Sequence, residues 1–141
     1  ENAQAVVAML DGHAAVSQVY YPGLATHPGH AVAARQQQGF GAMISFELAG
    51  GEAEVRAFVD GLRYFTLAES LGGVESLVAH PASMTHAAMT AEARASAGIG
   101  DGLLRLSVGI ESSEDLIADL QAGLLRAQQA GEALARKRVD A

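Results

Sequence analysis

Arg105 is the residue whose surroundings most call for an explanation. Leu104, Leu106 and Val108 alternate with Leu103, Arg105 and Ser107, the two-residue period of a strand with one apolar face. A guanidinium in mid-strand needs an anion or water beside it. Its planar fork suits a carboxylate held by two parallel hydrogen bonds. The anion is either a ligand carboxylate or an acidic side chain of the chain itself, and an exposed strand face would need neither. A second candidate is the run Phe65-Thr66-Leu67-Ala68-Glu69-Ser70-Leu71-Gly72-Gly73-Val74-Glu75-Ser76-Leu77. It sets two acids, two serines and a Gly-Gly pair among apolar residues. Gly-Gly lets a backbone approach a ligand or take a positive φ, and it equally makes a hairpin-like turn with solvated acids.

Other chemistries find less support. Five histidines invite a metal reading, but Pro28-Gly29 between His27 and His30 prevents a helical pair, and a zinc site needs three or four ligands at fixed spacing. No metal site is expected. The glycines at 39 and 41, and at 98, 100 and 102, lead into strands, whereas a phosphate cradle wants glycines that open a helix. No Gly-x-Ser-x-Gly elbow is present. There is no cysteine, which removes disulfides and thiolate chemistry. The single lysine, Lys137, sits in the polar tail Ala135-Arg136-Lys137-Arg138, in water and not in the desolvated pocket that lowers a Schiff-base lysine's pKa.

The elements that must position these residues follow from periodicity. Ala3, Val6, Val7 and Leu10 form a helical stripe that Asp11-Gly12 ends. Ala14 to Tyr21 reads as a strand stopped by Pro22-Gly23, and a loop and short helix run to Gln36. Ala42, Ile44, Phe46 and Leu48 alternate as on a half-buried strand. Val55, Phe58, Val59 and Leu62 return to helical spacing. Short strands are expected at Phe65–Leu67 and Glu75–Ala79, a helix from the Thr90 cap through Ala97, and a strand from Leu103 to Ile110. Ser112 with Asp115 resembles a capping box before the stripe Leu116, Ile117, Leu120 and Leu124. The count is four or five strands and four helices, hence an α/β (α+β) class with a small sheet and helices packed on it.

At 141 residues, half of them hydrophobic and 18% charged, the chain has the composition of one globular domain. A net charge of −7 argues against nucleic acid or an anionic membrane as partner. No apolar run reaches the ~18 residues of a membrane span, and a cytoplasmic location is expected.

These residues also stand in a familiar order. Tyr21-Pro22-Gly23-Leu24, His27-Pro28-Gly29-His30, Gln38-Gly39-Phe40-Gly41-Ala42-Met43-Ile44-Ser45-Phe46, the run from Leu67 to Leu77, Pro81-Ala82-Ser83-Met84-Thr85-His86-Ala87 and Leu104-Arg105-Leu106-Ser107-Val108-Gly109-Ile110-Glu111 follow one another. Together they resemble the C-terminal domain of the cystathionine γ-synthase, cystathionine γ-lyase and methionine γ-lyase family, from Glu1 to about Arg126. The resemblance implies the small domain of a fold-type I pyridoxal-phosphate enzyme over residues 1–141. The large N-terminal domain would carry the cofactor lysine, so neither catalytic nor cofactor-binding residues are expected in this chain. Arg105 matches the clamp of the substrate α-carboxylate, Ser70 and Leu71 the lining of the same pocket, Thr85 the residue orienting the arginine, and Glu69 a position linked to side-chain choice.

The implied function is transsulfuration in cysteine metabolism and methionine biosynthesis by a cytoplasmic homotetramer that uses pyridoxal 5'-phosphate. Its substrates would be a homoserine ester, cysteine and cystathionine. Glu92-Ala93-Arg94-Ala95-Ser96-Ala97-Gly98-Ile99 leans toward the synthase, a transferase. The γ-lyase reading shares every motif, and a non-catalytic binding or assembly module is a third reading. By itself the chain is expected to be inactive.

Overall fold

Five strands, β1 (Val16–Tyr20), β2 (Met43–Leu48), β3 (Thr66–Leu67), β4 (Leu77–Ala79) and β5 (Leu103–Ser107), form one sheet in the order β1-β2-β5-β4-β3. β5 is central, antiparallel to both β2 and β4, and only the β3–β4 pair is parallel. The computed structural model of the chain describes residues 1–139, so the last two residues of the 1–141 domain reading lie outside the described residues. Five helices accompany the sheet: α1 (Asn2–Leu10), α2 (His30–Gln36), α3 (Glu52–Val59), α4 (Ala91–Ser96) and α5 (Ser113–Val139). That is one helix more than the count of four given from the sequence, although each of the five segments is read there as helical. No helix among the described residues is long and apolar enough to cross a membrane.

The two faces of the sheet differ as the alternation predicts. Ile44, Phe46, Leu104, Leu106 and Val78 are buried against Val6 and Leu10 of α1, Phe58 of α3, and Leu116, Leu120 and Leu124 of α5. Phe46 meets Phe58 edge to face with ring centroids 5.7 Å apart, a geometry that the ring quadrupoles favour. The long α5 approaches α3 closely because Gly123 lies over Phe58, where a β-carbon would come within 3.0 Å of both its ring and its carbonyl. The other face carries Ser45, Arg105 and Ala79 in one cross-strand row.

Strand ends fall short of the sequence expectation wherever a polar contact takes the backbone away from the ladder. β5 stops at Ser107 and not at Ile110, since the Gly109 amide donates to Ser76 Oγ and the Ile110 amide to the Val74 carbonyl. β4 starts at Leu77 and not at Glu75, since the Ser76 amide donates to Glu111. β1 keeps to Val16–Tyr20, and the Tyr21 hydroxyl beyond it donates to the Gly41 carbonyl. At 90–97 the Thr90 cap forms, accepting from the Ala93 amide. The expected box at Ser112 forms in one direction only, as a 3.5 Å bond from the Asp115 amide.

Asp119 was invisible to periodicity and ties α5 to the segment before β3. It lies on the buried side of α5, and its carboxylate accepts the amides of Arg63, Tyr64 and Phe65 at 2.8–3.2 Å. These amides lie just before β3 and have no ladder partner. Hydrogen bonds to a charged group are worth about 1.5–3 kcal/mol, and buried donors left unpaired cost the full desolvation. Asp119→Ala should therefore destabilise the fold by at least about 2 kcal/mol, against the ~0.5 kcal/mol typical of a surface change. The check is a lowered urea midpoint at unchanged denaturant slope, with Asp119→Asn retaining part of the loss. A midpoint unchanged in Asp119→Ala would remove Asp119 from this role.

Candidate functional site

The segment from Ala68 to Ser76 forms no regular element, and β5 with the residues after it holds this segment in place. Arg105 Nη2 donates to the Glu69 carbonyl at 2.8 Å and the Ser70 carbonyl at 3.2 Å. Two residues along the same face, Ser107 Oγ accepts the Gly72 amide at 2.8 Å. Glu111 then takes the Ser76 amide at 2.7 Å and the Ser76 hydroxyl at 2.8 Å, one on each carboxylate oxygen. Asn2 of α1 closes the network by donating to the Gly109 and Glu111 carbonyls. Gly72 has a φ of +78°, a left-handed conformation that glycine adopts without strain. Gly109 has no room for a β-carbon, because the Val74 carbonyl and the Glu75 backbone cross directly over it.

Arg105 is half-buried and, among the described residues, has no acidic partner within ion-pair distance. Ion pairs among the described residues join Arg56 to Glu52, Arg94 to Asp101 and Arg136 to Glu132. Glu47, one strand over, accepts instead from the Tyr20 hydroxyl at 3.1 Å. Both hydrogen bonds of the guanidinium use Nη2 and end on neutral carbonyls. Its positive charge is uncompensated, and a planar edge is left for an anion.

Of the five candidate residues, the structure brings Arg105 onto the main chain of Glu69 and Ser70. The side chains of both remain exposed. Leu71 follows them and is exposed as well, at 54%. Thr85 is exposed too and makes no hydrogen bond to Arg105; its hydroxyl pairs with His86 Nδ1 at 2.8 Å. Segment 80–86 instead folds on itself: buried His80 bonds Ser83 Oγ at 2.7 Å and the Asp101 carbonyl at 2.8 Å. A cleft of about 600 Å³ lined by Asn2, Tyr21, Phe40, Gly109 and Glu111 holds none of the five, so volume and chemistry point to different places; the uncompensated charge is the better guide.

Sequence reasoning did not single out Ser107, Ser76 or Glu111. Each stands inside a run quoted above, but their pairing spans 33 to 35 residues and leaves no local signature. The histidines are engaged locally: His27 accepts the Gly29 amide, and His30 bonds the Pro22 carbonyl and stacks on Phe40. Among the described residues no group of three or more His, Cys, Asp or Glu could hold a metal ion.

The chain is similar to known proteins over most of its length. The profile of the family described as Cys/Met metabolism PLP-dependent enzyme matches residues 1–125. Cystathionine gamma-synthase of Escherichia coli (strain K12) is 59% identical over 128 residues, 91% of this chain and 33% of that protein. Cystathionine gamma-lyase of Bacillus subtilis (strain 168) is 52% identical over 120 residues, 85% of this chain and 31% of that protein. The crystal structure of cystathionine gamma synthase from Xanthomonas oryzae pv. oryzae, in complex with aminoacrylate and cysteine, superposes with a TM-score of 0.86 at 81% identity, covering 92% of this chain and 33% of that one. The chain thus spans about a third of the length of the relatives it matches.

Glu111 gives the network an acid limit. Burial pushes its carboxyl up, but the bonds from its own amide, the Ser76 amide and the Ser76 hydroxyl outweigh that and hold it below the ordinary value of 4.5. The unfolded chain therefore binds the proton more readily than the folded one, and stability rises with pH through this range. The Glu111 contribution is complete above about pH 4.5 and is lost as pH falls through the lowered folded value. Thermal melts from pH 7 to pH 3 should show a steeper acid loss for the parent chain than for Glu111→Gln. Parallel curves would show that Glu111 titrates alike in both states.

Proposed function

This chain belongs to the Cys/Met metabolism PLP-dependent enzyme family, and from that premise we propose that it is the substrate-carboxylate domain of an enzyme of cystathionine γ-synthase type, joining cysteine to an O-acyl-homoserine. One observation supports this above the rest: the Arg105 guanidinium, on the sheet face opposite the core, is bonded only to neutral carbonyls. The synthase direction is favoured over γ-elimination by the 81% identity to the Xanthomonas oryzae synthase against 52% to the Bacillus subtilis lyase.

In this reading the unused edge of Arg105 receives the substrate α-carboxylate in a bidentate pair. Fixing that group limits how the rest of the amino acid can turn and aligns the bonds that must react. Ser70 and Leu71 line the pocket, and Glu69 faces the variable part of the substrate. Thr85 would orient Arg105 only once its hydroxyl leaves His86.

Pyridoxal phosphate is the cofactor of the family's full-length enzymes, and the residues of this chain do not fit it. The only lysine, Lys137, is exposed near the end of α5. Its amine keeps full hydration, and the glycine runs at 39–41 and 98–102 precede strands and not helices. This chain's contribution is binding and orientation, and the lysine and cofactor come from a large domain outside it. The full enzyme is read as a cytoplasmic homotetramer and the chain alone as inactive.

Two measurements test this. Borohydride treatment of the chain with pyridoxal phosphate should leave no stoichiometric adduct at Lys137; such an adduct, seen by mass spectrometry, would overturn the division of labour. In the full-length polypeptide, Arg105→Ala should lower kcat/KM. Truncating one member of a desolvated pair costs ~2–5 kcal/mol, and half-buried Arg105 belongs near the lower figure, roughly 30-fold. Arg105→Lys should recover part, since it offers a point charge and not a fork. A loss below about fivefold with cofactor loading and Tm unchanged is too small for a carboxylate clamp.

A further inference from the structure

We infer that Ser107 is a positioning residue for the Arg105 pocket: its hydroxyl anchors the Gly72 amide and so keeps the Glu69 and Ser70 carbonyls on the guanidinium. The inference rests on the reading of Arg105 as the carboxylate holder and adds what sets its orientation. Ser107 occurs on β5 two positions from Arg105, hence on the same face. It is 2% exposed and sits between Met43 of β2 and Leu77 of β4 in the ladder. A hydroxyl in such a place must find a hydrogen-bond partner, and it finds the Gly72 amide at 2.8 Å.

The four residues from Glu69 to Gly72 are therefore tied to β5 by three bonds from two side chains. All four are exposed. Water can replace the Gly72 bond once it is broken, so losing it costs little stability. Position is what is lost. A freed loop moves its carbonyls off Nη2, and the guanidinium no longer presents one fixed edge, a displacement to which a bidentate pair is sensitive. The effect of Ser107 should thus fall on substrate binding and leave melting nearly unchanged, the reverse of what a purely structural serine would give.

The test uses Ser107→Ala, Ser107→Cys and Ser107→Thr, with Arg105→Ala in parallel, in the full-length polypeptide for kinetics and in this chain for amide exchange by NMR. In Ser107→Ala, KM should rise about tenfold with kcat within about twofold, the Gly72 amide should exchange about tenfold faster, and Tm should move by less than about 3 °C. Ser107→Cys, near in volume but a weak acceptor, should fall between, and Ser107→Thr, which keeps the hydroxyl, should stay within about twofold of the parent. A Ser107→Ala KM within about twofold of the parent, or a Gly72 amide protected as before, overturns the inference. If Arg105→Ala raises KM while Ser107→Ala does not, only this inference falls; if neither does, the carboxylate reading falls with it.

Discussion

A stretch of backbone without a ladder must have its amides and carbonyls met by something else, and that constraint organises this molecule. Residues 68–76 form no strand or helix, yet they lie directly over the end of β5. Side chains supply the missing partners: Asp119 from α5 before the stretch, Arg105 and Ser107 from β5 along it, and Glu111 from the β5–α5 connection at its end. Each of these side chains is held in turn by an element with its own core packing. Leu104 and Leu106 seat β5, and Leu116, Leu120 and Leu124 seat α5. The loop inherits its shape from two rigid elements.

Charge separates the contacts that close on the chain itself from the one on which the proposed carboxylate site rests. Asp119 is buried and its charge is met by three amides, so it asks for nothing further. Glu111 is met by two amides and a hydroxyl. Arg105 differs, since neutral carbonyls orient a guanidinium without compensating it. A cation on a semi-buried face attracts an anion more strongly than one in water does, because the effective dielectric is lower.

Much of this could be read along the chain. Alternation at 42–48 and 103–108 determines β2 and β5 and puts Arg105 on the face away from Leu104 and Leu106; helical stripes determine α1, α3 and the first half of α5. The order of the motifs determines the family. These signals are local, a few residues apart, and a period shows them. What only the tertiary structure decided are the pairings of Ser107 with Gly72, Ser76 with Glu111 and Asp119 with residues 63–65, across 35 to 56 residues of chain. Each such residue looks like a solvated polar side chain in its own window, and it becomes a strut only when folding brings an unpaired amide within 3 Å, a coincidence of position that no periodicity encodes.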